Sequence, residues 1–180
     1  MAAILRESRR LTALLAICLA ASVSAEVPSA KQVLDAALVE AGAQHKNVLV
    51  HFGASWCTWC RHLDAMLEGP ELGKLFHDNY VIAHLTILES ADKKALENPG
   101  AQALVENAIG KVDGVPFYMF FDSDGNRLAT SEAMPDGGNI GHPVTAAEIK
   151  AFVGLLEKTA PNMTAADRGR VADYLSKQKH

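Results

Sequence analysis

Two cysteines separated by two residues, Cys57-Thr58-Trp59-Cys60, are the groups in this chain whose types and spacing point most directly to chemistry. The stretch before them, Val48-Leu49-Val50-His51-Phe52, carries the short apolar run of a strand covered on both faces, and Gly53-Ala54-Ser55 breaks it. Cys57 is therefore expected at the N-terminus of a helix, where unpaired backbone N–H groups and the positive end of the helix dipole favour thiolate over thiol. A depressed pKa and a reactive, exposed sulfur are the expectation for Cys57. Cys60 follows one turn later on the same side, close enough to shut a small disulfide ring that is easy to form and easy to open.

Other uses of a C-x-x-C pair fit less well. A zinc site needs two further ligands and there is no second cysteine pair, although His62 lies near. Haem attachment needs histidine directly after the second cysteine, and Arg61 stands there. As a purely structural staple the bridge closes too short a loop to restrain the unfolded chain much. A redox pair is the reading on which strand, turn and helix agree.

The motif Trp56-Cys-x-x-Cys60 after an apolar strand, together with Gly114-Val115-Pro116-Phe117, resembles the thioredoxin superfamily. The resemblance covers about residues 31 to 158. It is strongest at Phe52 to Cys60 and at Val115 to Phe121, and it looks most like the periplasmic members. It implies that Cys57 is the nucleophile and Cys60 the resolving thiol. It also implies that Pro116 is cis beside them, and that Trp56, Val115 and Pro116 meet a cysteine-containing substrate. Members of the superfamily carry a buried acid on the strand before the motif and a lysine on the next strand; His51 and His84 occupy those places here. Both are expected within an apolar layer, and a neutral imidazole there can still accept a proton near neutral pH. The hypothesis is that His51 relays the proton of Cys60, with His84 beside it. The competing reading is a pair of core histidines satisfied by backbone or by each other.

The elements that must place these groups follow along the chain. Arg6, Arg9 and Arg10, an apolar run from Leu11 to Ala21, and Val23-Ser24-Ala25 have the layout of a secretory signal peptide over 1–25, in a run too short to span a bilayer. Cys18 would leave with it, so that Cys57 and Cys60 remain as a lone pair. The segment holds three Arg and one Glu, so its removal takes the formal charge from −4 to −6, against a nucleic-acid partner. Residues 26–160 are expected to form the thioredoxin-like domain and 161–180 a helical extension. A first amphipathic helix runs from Ala30 to Ala43, ending near Gly42, and Leu63, Met66 and Leu67 continue the helix of the motif up to Gly69-Pro70. Leu72 to Phe76 suggests a further helical turn, and Tyr80 to Leu88 a strand parallel to the first.

Residues 91–112 read as a helical insertion interrupted at Asn98-Pro99-Gly100, either shaping a substrate groove or lying on the surface away from it. Phe117–Phe121 and Arg127–Thr130 form an antiparallel hairpin. Its turn, Asp122 to Asn126, begins like a calcium loop but has Arg127 where glycine is obligatory and Ala133 where the closing glutamate belongs. Thr145-x-x-Glu148 and Thr164-x-x-Asp167 are capping boxes for two last helices. His62 is expected to face solvent, and His45, His77, His142 and His180 to lie in loops and termini with no metal role. The fold class that the resemblance implies is α/β: a thioredoxin fold, a mixed central sheet flanked by helices, with the insertion before the Pro116 strand and an extra C-terminal helix.

The function expected is thiol-disulfide exchange on cysteine-containing exported proteins, as reductase or isomerase, supplied by a membrane or soluble thiol-disulfide donor and needing no cofactor or metal. A protein-disulfide oxidase is the close alternative. A redox-inactive binding module is the alternative from another class, in which both cysteines would have no use.

Overall fold

β1 (Asn47–Gly53) is the strand on which the molecule is built, and the computed structural model describes residues 26–135 and 137–178 around it. The expected signal segment 1–25 lies outside the described residues. β1 pairs in parallel with β2 (Tyr80–Thr86) and antiparallel with β3 (Phe117–Phe121), and β4 (Arg127–Thr130) joins β3 antiparallel, giving the order β2-β1-β3-β4. Five successive buried residues on both β1 and β3 match strands covered on two faces.

Alternation along β1 divides the core in two. Leu49, with Tyr80, Tyr118 and Phe120, faces α2 (Thr58–Glu68), α3 (Gly73–Asn79), α5 (Ala146–Thr159) and α6 (Ala165–Lys177). Val48, Val50 and Phe52, with Ala83, Leu85 and Met119, face α1 (Ala30–Gln44) and α4 (Ala101–Ile109). Phe152 of α5 meets Phe76 at 6.4 Å and Tyr118 edge-on at 5.8 Å between ring centroids. Burial of each such ring stabilises the fold by roughly 1.5–3 kcal/mol, and this aromatic cluster anchors the helical layer below the motif.

Local signals set the helix ends. Ser29, Thr145 and Thr164 each accept the N–H three residues on, while Gln32, Glu148 and Asp167 reach back to the cap, so all three capping boxes close. α1 runs two residues past Gly42 and stops where His45 turns left-handed at φ 53°. β2 stops at Thr86 rather than Leu88, because Leu88 itself takes φ 56° and leaves the extended region. The insertion forms a 3-10 turn over Ala91–Leu96 and then α4, divided at Asn98-Pro99-Gly100 as the sequence suggests. α6 buries Val171 and Leu175 in the same core as Phe152. Among the described residues no helix is long and apolar enough to cross a membrane.

Candidate active site

Cys57 is the N-cap of α2, the position the strand-break-helix pattern assigns it, and its sulfur accepts the Cys60 N–H at 3.0 Å. Cys57 and Cys60 are disulfide-bonded. The Val115–Pro116 peptide bond is cis, and the Val115 carbonyl oxygen stands 3.5 Å from the Cys57 sulfur. Strand β3 begins at the next residue, so β3 and α2 bring two segments far apart in sequence onto one sulfur.

One expectation about Cys57 needs correction. The sulfur is not exposed: in the disulfide form Cys57 is 3 % and Cys60 4 % accessible. Capping draws the Cys57 sulfur inward onto the Cys60 N–H, and the Val115 carbonyl closes over it. Trp56, more than half exposed, stays outside and donates from Nε1 to the Leu88 carbonyl at 2.8 Å. The left-handed turn at Leu88 thus orients that carbonyl toward the motif.

His51 and His84 are direct partners in the β1–β2 register and share the sheet face that α2 covers. Their surroundings differ from the expected shared apolar layer. His51 is 3 % accessible, whereas the His84 side chain is 47 % accessible, because β2 is the edge strand. A third group, not anticipated, stands between them. Asp64 Oδ1 on α2 lies 2.8 Å from His51 Nδ1 and 3.5 Å from His84 Nδ1. Burial pushes the Asp64 carboxyl up, but its pairing with His51 and the charge of both histidines outweigh this and hold it below the usual value. The His51–Asp64 approach is close without full hydrogen-bond alignment, and His51 Nε2 has no partner among the described residues.

That nitrogen and the Cys60 sulfur share a neighbour in Gly53. A methyl group added at Gly53 would stand 3.4 Å from His51 Nε2 and 3.4 Å from the Cys60 sulfur, so ring and sulfur border one small space. A cavity of about 390 Å³ opens there, lined by His51, Cys60, Asp64, His84 and Glu89. Glu89, buried at the head of the insertion, accepts from both the backbone N–H and the hydroxyl of Ser55, two residues before Cys57. Leu88 and Glu89, just before the insertion, therefore clamp the motif loop at Trp56 and Ser55.

On the opposite flank, Trp59 stacks on His142 at 5.9 Å with 21° between planes, and His62 lies 5.4 Å from Trp59 and 5.8 Å from His142. His142 is buried and its Nε2 is 2.8 Å from Gln178 Oε1 just beyond α6. His62 is half-buried against these rings rather than facing solvent, and His142 has a place that its loop position did not suggest. Asp64 had a faint signal in its spacing, four residues after Cys60 on the helix, beside Leu63 and Leu67. Glu89 and His142 had none.

The topology and the motif define a thioredoxin-fold domain with a C-x-x-C disulfide at the N-terminus of its second helix. The chain belongs to the thioredoxin-like family, whose sequence model matches residues 29–123. It is 28 % identical over 107 residues to the disulfide bond reductase DsbH of Chlamydia pneumoniae, a match spanning 57 % of this chain and 61 % of that protein. Among solved structures it is similar to a disulphide isomerase from Xylella fastidiosa Temecula1, at 21 % identity and TM-score 0.48 over 90 % of this chain and 98 % of that one. It is also similar to the C-terminal domain of Neisseria meningitidis DsbD in its oxidised form, at 23 % identity and TM-score 0.38 over 58 % and 84 % of the two chains.

Proposed function

We propose that this protein is a thiol-disulfide oxidoreductase that reduces or isomerises disulfides of exported proteins. The observation that carries the reading is the Cys57–Cys60 disulfide capping α2 with the Val115 carbonyl against the Cys57 sulfur. In the reduced protein the Cys60 N–H that now meets Cys57 stabilises a thiolate at that sulfur. The Cys57 thiolate attacks a substrate disulfide; one substrate sulfur leaves and takes up a proton, and a Cys57–substrate mixed disulfide remains. The Cys60 thiol gives up its proton and attacks the Cys57 sulfur, which re-forms the Cys57–Cys60 bond and releases the second substrate sulfur. Two electrons pass from protein to substrate, and an external thiol donor, membrane-bound or soluble, restores the dithiol.

His51 takes the Cys60 proton in this reading; in support, its unpartnered Nε2 and the Cys60 sulfur border one small space, and Asp64 stands 2.8 Å from its other nitrogen. His84 acts one step out, through Asp64. Trp56, Val115 and Pro116 form the rim against which a cysteine-containing peptide would lie. The signal-like residues 1–25 support export, and the reductase direction draws support from the likeness to a protein named as a disulfide reductase.

The test is the equilibrium reduction potential of the Cys57/Cys60 pair in glutathione and dithiothreitol buffers. A value near about −270 mV agrees with a reductase, and one well above about −200 mV with an isomerase or with the alternative of an oxidase. A value below about −300 mV, with no fast-reacting thiol, would overturn the redox reading in favour of a binding module. Cys57→Ser should abolish turnover of a protein disulfide, and Cys60→Ser should accumulate the mixed disulfide.

A further inference from the structure

We propose that His51, Asp64 and His84 also form a binding site for a divalent cation of the zinc kind, set in the cavity beside Cys60. Two imidazoles and one carboxylate are a donor set that such cations take, leaving a fourth position for water or another ligand. The three residues come from three elements, β1, α2 and β2, and one ligand atom from each lies within 4.8 Å of the other two. Around a tetrahedral ion with bonds of about 2.0–2.1 Å, neighbouring ligand atoms sit about 3.3 Å apart. The observed separations of 2.8 Å from Asp64 Oδ1 to His51 Nδ1 and 3.5 Å to His84 Nδ1 bracket that value. The third separation, between the two imidazoles, is no more than 4.8 Å.

Two further features point the same way. His84 turns Nδ1 toward Asp64 and Nε2 toward the Glu68 carboxylate at 3.4 Å. A carboxylate on the far nitrogen is the usual outer support of a metal-ligating histidine, because it fixes the tautomer that leaves the other nitrogen bare. His51, for its part, is buried with a polar ring that its neighbours do not satisfy, an arrangement that costs stability unless something else fills the need. The cavity of about 390 Å³ provides both entry and room for the fourth ligand. No sequence motif advertises this site, because the register of β1 against β2 assembles it.

The cation would occupy the imidazole that serves Cys60. Binding itself does not depend on the oxidoreductase reading, but it predicts that a cation at this site slows the resolving step.

The experiment is a titration of the oxidised protein with Zn²⁺ against a chromophoric chelator, with the disulfide intact so that neither sulfur can contribute. One Zn²⁺ per chain is expected. His84→Ala, which removes a half-exposed group and leaves the buried His51–Asp64 pair in place, should weaken binding at least tenfold, and Asp64→Asn should do the same. His45→Ala and His77→Ala should leave it unchanged. Absence of stoichiometric binding at micromolar Zn²⁺ would overturn the proposal. So would a His84→Ala protein that binds as the parent does, or a loss on His77→Ala, which would move the ion to Glu68 and His77 on the surface. If Zn²⁺ fails to bind while Cys57-dependent reduction persists, the site falls and the oxidoreductase reading stands.

Discussion

The disulfide has two flanks, each lined by histidines, and they are held in opposite ways. Beneath Cys60, His51 and Asp64 are fixed by the β1 register and the face of α2, with His84 at the sheet edge. Beside Trp59, His62 and His142 make a stack of rings whose outer member is 42 % accessible and whose inner one is tied to the C-terminal helix through Gln178. The first flank rests on regular elements that cannot shift without unpairing the sheet. The second joins Trp59 and His62 of that same helix α2 to His142 on a loop, which is tied in turn to Gln178 just beyond α6. Proton handling next to a sulfur needs fixed distances, whereas recognition of varied partner proteins tolerates an adjustable surface, and the proposed function assigns the two flanks along that line.

Substitution can break this division. His51→Ala should slow resolution of the mixed disulfide about a hundredfold or more, the size of effect a placed general base supplies. A single-turnover experiment that follows release of the second substrate thiol would measure it, with thermal unfolding as the control for the buried site. Trp59→Ala should leave that step within twofold of the parent. Its expected effect is on substrate affinity, raising KM for a peptide disulfide about tenfold, which corresponds to about 1.4 kcal/mol of lost contact. If Trp59→Ala slowed resolution as much as His51→Ala, the flanks would not be separate.

A smaller effect sharpens the comparison by acting at a distance. Gln178→Ala removes the partner of His142 Nε2 without touching either cysteine. The lost hydrogen bond is worth about 0.5–1.5 kcal/mol, readable as a lower denaturation midpoint in urea. KM should rise with it, and the rate of resolution should not. A change in resolution would mean that α6 controls the chemistry rather than the surface.

The two flanks also differ in how far a sequence alone reveals them. The strand, break and helix around Cys57, the Val-Pro pair before β3, and the capping boxes at Thr145 and Thr164 are local patterns, and local patterns survive in one dimension. That His51 shares a small space with the Cys60 sulfur follows the resemblance, which puts a proton-handling group at that strand position; alternation within one strand says only which sheet face it takes. That His84 is half exposed could not be foreseen, since that turns on β2 being the edge of the sheet. Asp64 was hidden because its role arises when α2 packs on β1. His142 lay in a Gly- and Pro-rich stretch without periodicity, and only the packing of loop against α2 gives it a place. The clamp of Glu89 on Ser55 joins residues 34 apart across α2, α3 and β2, where no local pattern operates.

The least expected effect concerns the cap that holds the start of α5 near His142. Burial pushes the Glu148 carboxyl up, but the N–H groups of Thr145 and Val144, at 2.8 and 2.9 Å, outweigh it. The Thr145 hydroxyl and the charge of His142 add to them, and together these groups hold the carboxyl below its ordinary value of 4.5. A carboxyl that binds its proton less tightly when folded stabilises the fold above the unfolded value, and that contribution drains away as pH falls through the lowered folded value. Urea midpoints measured from pH 6 down to pH 3 should therefore drop in the parent and drop less in Glu148→Gln, which keeps the capping geometry but has no proton to bind. The aromatic flank leans on this cap through charge, so KM in the parent should begin to rise over the same acid range while the resolving step, governed by the other flank, does not follow that titration. Parallel changes in both would show that the start of α5 supports the whole motif rather than one side of it.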